Sequence, residues 1–182
     1  MQVIAAIEDR QRRFVVDGQP VVTGLVPVGD AYACTNPSLG RGASIGLLHA
    51  CALRDLLREV GPDRPERLAR RFDQVTQATV DPLYRATLEF DRHRLAEING
   101  EITGQPYRPE DPAWDISKAL YAAAPGDPDV LRAYTAVAAL TAMPSDALAE
   151  PGLLEKVISL GSTAPRYPSP GPSHPELLAA LS

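Results

Sequence analysis

The sequence predicts a mostly α-helical protein with a short β-hairpin near its N-terminus. After residue 62 the chain reads as a succession of helices, each introduced or ended by Pro or Gly. Asp17-Gly18 stands between two β-branched runs, a strong hairpin signal because both central positions of a type I′ turn need positive φ. Apolar residues make up 45% of the 182 residues but aromatics only 5%, so the core must rest on Ala, Leu and Val.

Composition and charge exclude several classes of protein. The formal net charge of −5 argues against a nucleic-acid partner. Cys34 and Cys51 cannot form a zinc cage, and a disulfide framework is implausible with two cysteines in a chain of this size. Met1 to Arg13 lacks the features of a secretory signal, and no stretch approaches the ~20 apolar residues that a membrane span requires. We therefore expect a cytoplasmic protein without a membrane span.

The chain divides by pattern into three regions: 1–61, 62–161 and 162–182. In the first region, the β-branched run after the hairpin continues to Val28 and predicts a strand that ends at Gly29-Asp30. A loop rich in small residues then leads into a helix that ends at Gly61-Pro62.

The second region, 62–161, is predicted to be helical. A long helix begins with Asp63 as its N-cap and runs toward residue 100, with Pro82 expected to kink or split it. Seven acidic residues balance seven arginines between residues 61 and 100, which predicts a solvated outer face. Shorter helices are predicted at about 112–124, 127–142 and 150–160. The Pro-rich tail is expected to be extended or disordered, with a possible last helix at 175–181.

The chemistry is expected to lie where the first region passes from strand to helix. A carboxylate that follows a strand, here Asp30, stands at the edge of a sheet where ligands bind in α/β architectures. Gly40 and Gly42 before the helix let a ligand approach the backbone and leave the first helical amides free. Those amides suit an electron-rich group, and Asp30 can accept hydrogen bonds from hydroxyls. The residues therefore predict a pocket for a ligand with a hydroxylated chain and a polar, electron-accepting ring.

This string of residues resembles the second flavin-binding motif of the FAD-dependent monooxygenase and oxidoreductase superfamily, the group related to aromatic hydroxylases and geranylgeranyl reductases. The match consists of Val28-Gly29-Asp30-Ala31, then Pro37-Ser38-Leu39-Gly40-Arg41-Gly42, then an Ala-rich helix. The resemblance covers the segment 23–55, and the preceding hairpin fits the strands that come before this motif in the family.

The resemblance implies an FAD-dependent oxidoreductase, monooxygenase-like, that acts on a small apolar organic substrate. Asp30 would bind the ribityl hydroxyls, and Pro37 would lie along the flavin ring. The amides near Gly42 and Ala43 would face the flavin N1 and C2 carbonyl and stabilise the charge of the reduced ring. The cofactor-binding residues that it implies are Gly29, Asp30, Pro37, Gly40, Gly42 and Ala43. It identifies no catalytic residue.

One part of the family pattern is missing. The G-x-G-x-x-G loop that follows the first strand has no counterpart, since in the nearest string, Gly40 to Gly46, the last glycine is one residue too far along. We therefore expect a C-terminal fragment of an α/β, Rossmann-like FAD-binding flavoprotein with a helical cap, inactive alone. A separate chain could supply the Rossmann half. The alternative is a non-catalytic helical interaction module or degenerate remnant that does not bind FAD alone and could form a homodimer.

Other polar residues have weaker functional interpretations. Glu89, His93 and Glu97 recur at four-residue steps and could hold a metal, but pairing on a helix surface is the favoured interpretation, so no metal site is assigned. His49 is expected to be packed or capped, and not catalytic. The remaining expectations are a small buried thiol at Cys34, an anion contact or a surface charge at Arg41, and a packing anchor at Trp114.

Overall fold

The computed structural model describes residues 8–163 and 172–180. It confirms a mostly helical chain with a short antiparallel strand segment near the N-terminus. The chain divides into two compact units between Arg108 and Pro109. The boundary predicted after residue 61 lies inside the first unit, between its two helices. Within the described residues, every helix is too short or too polar to cross a membrane.

The strands of the first unit form two separate two-residue ladders. The strands are β1 (Arg10–Gln11), β2 (Val15–Val16), β3 (Gln19–Pro20) and β4 (Ala33–Cys34). β2 pairs with β3 and β1 with β4, both antiparallel. Asp17 and Gly18 join β2 to β3 with φ values of 50° and 73°, which confirms the predicted hairpin turn.

The prediction of a strand that runs up to Val28 is wrong. Residues 21–28 form no strand, and Gly29–Ala31 is a 3-10 turn, so Asp30 does not follow the carboxyl end of a strand. Gly24 has a φ of 79°, which breaks an extended backbone, and Pro27 has no amide to donate to a ladder. The β-branched composition of this segment favours a strand, but Gly24 and Pro27 interrupt the extended backbone that a strand requires.

Two helices, α1 (Gly42–Val60) and α2 (Pro65–Thr103), pack together in the first unit. Gly61 ends α1 as predicted, with a φ of 81° and its amide donating to the Leu57 carbonyl. The N-cap of α2 is Arg64, one residue after the predicted Asp63, and no side chain caps it. Pro82 lies inside α2 without splitting it. Buried residues on both sides, Val80 before it and Tyr84 after it, pack the helix across the backbone hydrogen bond that proline cannot make.

The solvated face predicted for the region 62–100 is also wrong in part. Asp81, Asp91, His93 and Glu97 are all buried, although each is an ionisable residue in the middle or last third of α2. Equal numbers of acidic and basic residues do not show whether a carboxylate is exposed to water or covered by another part of the chain. Here the segment before α1 lies along α2 and covers two of these carboxylates.

The second unit is entirely helical in its described residues. It contains α3 (Pro112–Ala123), α4 (Pro128–Ala138), α5 (Pro144–Ala147), α6 (Leu153–Thr163) and α7 (His174–Ala180). Leu120, Val130 and Val157 form the centre of its core. Trp114 is buried as expected, and the Lys118 ammonium lies 5.5 Å from the centre of its ring. The predicted last helix corresponds to α7, whereas most of the Pro-rich tail, 164–171, lies outside the described residues.

Candidate functional site

The turn that carries Asp30 lies directly against α1. Gly29 has a φ of 57°, and a Cβ atom built on it would stand 3.4 Å from the Cα atom of Gly46. A Cβ atom on Gly46 would in turn stand 3.7 Å from the Cα atom of Gly29. The two backbones are therefore in van der Waals contact, and glycine is favoured at position 29 by its positive φ.

The turn brings Asp30 beside the first turn of α1. A Cβ atom built on Gly42 would lie 3.7 Å from both Asp30 Oδ1 and Thr35 Oγ1. The N-cap residue Arg41 makes no side-chain capping bond, so its side chain leaves the first amides of α1 uncapped. Asp30 is exposed. A carboxylate that accepts hydrogen bonds thus stands next to a helix terminus that donates them.

The other residues of the predicted site lie on the loop that leads into α1. Pro37–Leu39 forms a 3-10 turn, and the Gly40 amide closes it by donating to the Pro37 carbonyl at 2.9 Å. Gly40 has a φ of 65°, which turns the chain into the helix. Pro37, Gly40 and Ala43 are exposed. All six residues therefore lie on the turn, the loop or the first helical turn. Within the set, Gly40 is bonded to Pro37 inside the loop, and Asp30 lies close to Gly42 across from the turn to the helix.

His49 connects this turn to α2. Its imidazole is completely buried, which confirms that it is packed. The Gly29 amide donates to Nδ1 at 3.3 Å, and Nε2 lies 2.8 Å from Thr76 Oγ1. The ring stacks on Phe72 with the centroids 4.5 Å apart, and it meets the Tyr32 ring edge-on at 5.2 Å. Because an amide can only donate, Nδ1 must be unprotonated, and the proton is assigned to Nε2, which donates to Thr76.

We expect the stability of the first unit to fall below about pH 6.5 because of His49. Burial lowers the pKa of His49 from its ordinary value of 6.5. The unfolded chain therefore binds a proton that the folded chain excludes, so the contribution is complete above pH 6.5 and is lost as the pH falls through the lowered pKa. The slope is at most about 1.4 kcal/mol per pH unit. Urea unfolding at several pH values measures it, and a His49→Asn variant with an unchanged pH dependence would contradict it.

A row of polar contacts, which we call the polar seam, holds the part of the chain before α1 to α2. We call this part, residues 8–41, the N-terminal segment. In the middle of the seam, Gln11 Nε2 and Tyr32 Oη both donate to Asp81 Oδ1, the latter at 3.3 Å. Arg85 donates to Asp81 Oδ2 at 2.6 Å. Burial, followed by the charge of Asp81, raises the pKa of Tyr32 to about 12, so the phenol remains a donor.

The seam has a second contact on each side of Asp81. Arg13 pairs with Asp73 at 2.9 Å, and Asn36 Nδ2 donates to Asp91 Oδ2 at 3.1 Å. Asp91 is also held by Arg94 at 2.7 Å. Sequence reasoning missed this seam. The available signal was the presence of Asp73, Asp81 and Asp91 among the apolar positions of one helix, where solvated carboxylates are not expected.

One cavity of the first unit is lined mainly by apolar side chains but is too small for an organic ligand. It lies between the N-terminal segment and α2, is lined by side chains such as Phe14, Val26 and Phe72, and has a volume of about 20 Å³. That volume holds about one water molecule. This cavity therefore cannot enclose a flavin.

The remaining polar residues have structural partners. His93 Nδ1 lies 3.0 Å from Tyr107 Oη, and Nε2 lies 3.3 Å from Glu89 Oε1. Within the described ranges, no three side chains of His, Cys, Asp or Glu converge as metal ligands do. Arg41 donates to Thr87 Oγ1 on α2 at 3.3 Å. Cys34 is free and half-buried, less enclosed than expected.

Comparison with known proteins does not assign the chain to a family. No protein-family model matches the sequence, and no curated protein matches it either. The functional argument therefore depends on the residues of the turn, the loop and α1.

Proposed function

We propose that the 29–43 segment forms the wall of an FAD site that faces the ribityl chain and the flavin ring. In this proposal the chain is part of an FAD-dependent oxidoreductase, monooxygenase-like, that acts on a small apolar organic substrate. The supporting observation is the carboxylate of Asp30 beside Gly42, at a helix terminus that no N-cap side chain caps. The Asp30 carboxylate would accept hydrogen bonds from hydroxyls, and the neighbouring helix amides would donate to the electron-rich edge of a ring.

Each residue of this wall has a distinct part in the proposal. Asp30 would accept hydrogen bonds from ribityl hydroxyls, since it is exposed and close to Gly42. Glycine at 42 keeps free the space that a Cβ atom would take beside that carboxylate. The amides of Gly42 and Ala43 would donate toward N1 and the C2 carbonyl, where the helix dipole favours negative charge. Pro37, exposed on its turn, would lie along the ring. The bound flavin would supply the redox chemistry.

The ADP half of FAD has no corresponding cradle in the described residues. Their only ladders are antiparallel and two residues long, whereas the ADP half is held by a parallel sheet and its glycine loop in Rossmann folds. The proposal therefore includes a second polypeptide segment, such as a separate Rossmann-half chain, that holds this part of the cofactor. On this account, the chain alone would bind flavin weakly.

We expect Asp30→Ala to weaken flavin binding by this chain at least tenfold. The substitution removes a charged acceptor whose hydrogen bonds are worth about 1.5–3 kcal/mol. Quenching of riboflavin and FAD fluorescence by the purified chain measures the affinity, and the shift in Tm with added FAD gives an independent value. Asp63→Ala, which removes an exposed carboxylate from the α1–α2 connection, serves as the control and should bind like the wild-type chain.

The proposal would be overturned by a wild-type chain that neither quenches flavin fluorescence nor gains thermal stability at millimolar FAD. Equal affinity in the Asp30→Ala and wild-type chains would remove Asp30 from the site.

A second candidate function is a non-catalytic interaction module. The observation that favours it is the exposure of apolar side chains in the N-terminal segment: Val16 is 54% exposed, Val21 71% and Leu25 55%. In this second proposal these side chains would form the apolar part of a contact with a partner or a second copy of the chain. A colourless dimer by sedimentation, with a Tm indifferent to FAD, would support this function over the flavin site.

A further inference from the structure

We infer that His49 is a positioning residue for Asp30, acting through the backbone of Gly29. This inference rests on the proposed function, because it assigns the residue that fixes the acceptor side of the same site. Gly29 immediately precedes Asp30, and its amide is the hydrogen-bond donor to His49 Nδ1. The direction in which the Asp30 carboxylate leaves the turn therefore depends on a contact made by a fully buried ring.

The ring is immobilised from three sides. Phe72 of α2 lies flat against one face, with only 9° between the ring planes, and Tyr32 meets it at 73°. Thr76 of α2 fixes Nε2 at 2.8 Å. The imidazole thus has neither a free rotamer nor a free tautomer, and Nδ1 is presented to the turn as a fixed acceptor.

Two side chains separate the acceptor role from the packing role. Asparagine places its amide oxygen close to the position of Nδ1, so His49→Asn keeps an acceptor for Gly29 and loses the contact with Thr76. Glutamine reaches the position of Nε2, so His49→Gln keeps a donor for Thr76 and loses the acceptor. A positioning role predicts that Asn and Gln differ at the turn, whereas a role in packing alone predicts that they behave alike.

The first measurement is amide hydrogen exchange of Gly29, Asp30 and Ala31, read by NMR in the wild-type chain and both variants. Loss of the acceptor should raise exchange at Gly29 about tenfold in His49→Gln, and His49→Asn should stay within about threefold of the wild type. Nitrogen-15 correlation spectra of the wild-type ring should show the proton on Nε2. Equal exchange in the two variants, or a proton on Nδ1, would overturn the inference.

The second measurement separates this inference from the proposed function. If the wild-type chain binds FAD, affinity should fall about tenfold in His49→Gln and be largely retained in His49→Asn, at matched fractions of folded protein. Equal affinities in the two variants would overturn the positioning role even if Asp30→Ala weakens binding. If the wild-type chain does not bind FAD, the proposed function fails, and the exchange and tautomer data alone decide whether His49 holds the turn.

Discussion

Gly161→Ala should destabilise the second unit by about 2 kcal/mol. A Cβ atom built on Gly161 of α6 would lie 2.5 Å from Ala119 Cβ and 2.9 Å from the Ala119 carbonyl oxygen, both on α3. These distances are far below van der Waals contact, and the obstacle is a helix backbone, so the two helices must separate. Overpacking of this kind costs about 1–3 kcal/mol or more, which exceeds the ~1 kcal/mol that alanine gains over glycine in a helix.

Urea unfolding followed by the fluorescence of Trp114 measures this effect, because the single tryptophan is buried in the same unit. Gly126→Ala is the matched control. A Cβ atom there would have no other atom within 4 Å, and Gly126 does not have a positive φ. We expect the control to be as stable as the wild type. Equal midpoints for the two variants would mean that α3 and α6 do not approach as closely as described.

Asp81→Ala should loosen the N-terminal segment on α2 and destabilise the first unit by about 2 kcal/mol. The substitution removes the acceptor that Gln11 Nε2 and the Tyr32 hydroxyl share. Gln11 Nε2 keeps its second acceptor, Tyr32 Oη at 2.9 Å, but the buried Tyr32 hydroxyl loses the carboxylate to which it donates. A buried donor without a partner costs about 1–3 kcal/mol. The pKa of Tyr32 should also fall, because the charge of Asp81 is one of the causes that raise it, but burial should keep it above 10.

Ultraviolet titration of the tyrosines and urea unfolding followed by circular dichroism measure the two effects. Glu101→Ala removes one negative charge from an exposed position near the end of the same helix, so it controls for the change in net charge. A Tyr32 pKa that stays near 12 together with unchanged stability would show that Asp81 is not the central acceptor of the polar seam.

The sequence predicted features that depend on a few adjacent residues. The Asp17-Gly18 hairpin was predictable because both residues accept positive φ, and the end of α1 because Gly61 serves as a left-handed stop. The starts of α3 and α4 were predictable from Pro112 and Pro128 in their first turns. The short helix α5 lies just beyond a region predicted as one helix to residue 142 and was not predicted.

Features that depend on distant residues were not predictable. The composition of residues 21–28 is typical of a strand, yet no neighbouring strand among the described residues pairs with it. Likewise, the burial of Asp81 and Asp91 depends on Gln11, Tyr32 and Asn36, which lie at least 49 residues away in the chain. A charge pattern within one helix does not reveal such partners.

In the candidate site, too, contacts between nearby residues were predictable and contacts between distant residues were not. The sequence indicated Asp30 and Gly42 as members of one site, and their proximity is a local consequence of the short loop between them. It did not indicate that His49 accepts from the Gly29 amide, because the two residues are 20 positions apart in the chain. The approach of Gly29 to Gly46 was also hidden, since a glycine pair of this kind has no pattern of its own.

The polar seam also determines the alignment of the N-terminal segment on α2. Apolar side chains can slide past one another at little cost, but hydrogen bonds to carboxylates are directional and do not tolerate such a shift. A slip of the segment by one residue, about 3.3 Å, would misalign its donors to Asp73, Asp81 and Asp91 together. The segment therefore has one alignment of low free energy on the helix, and the alignment shifted by one residue is much less stable. A sequence that specifies a unique structure has this property.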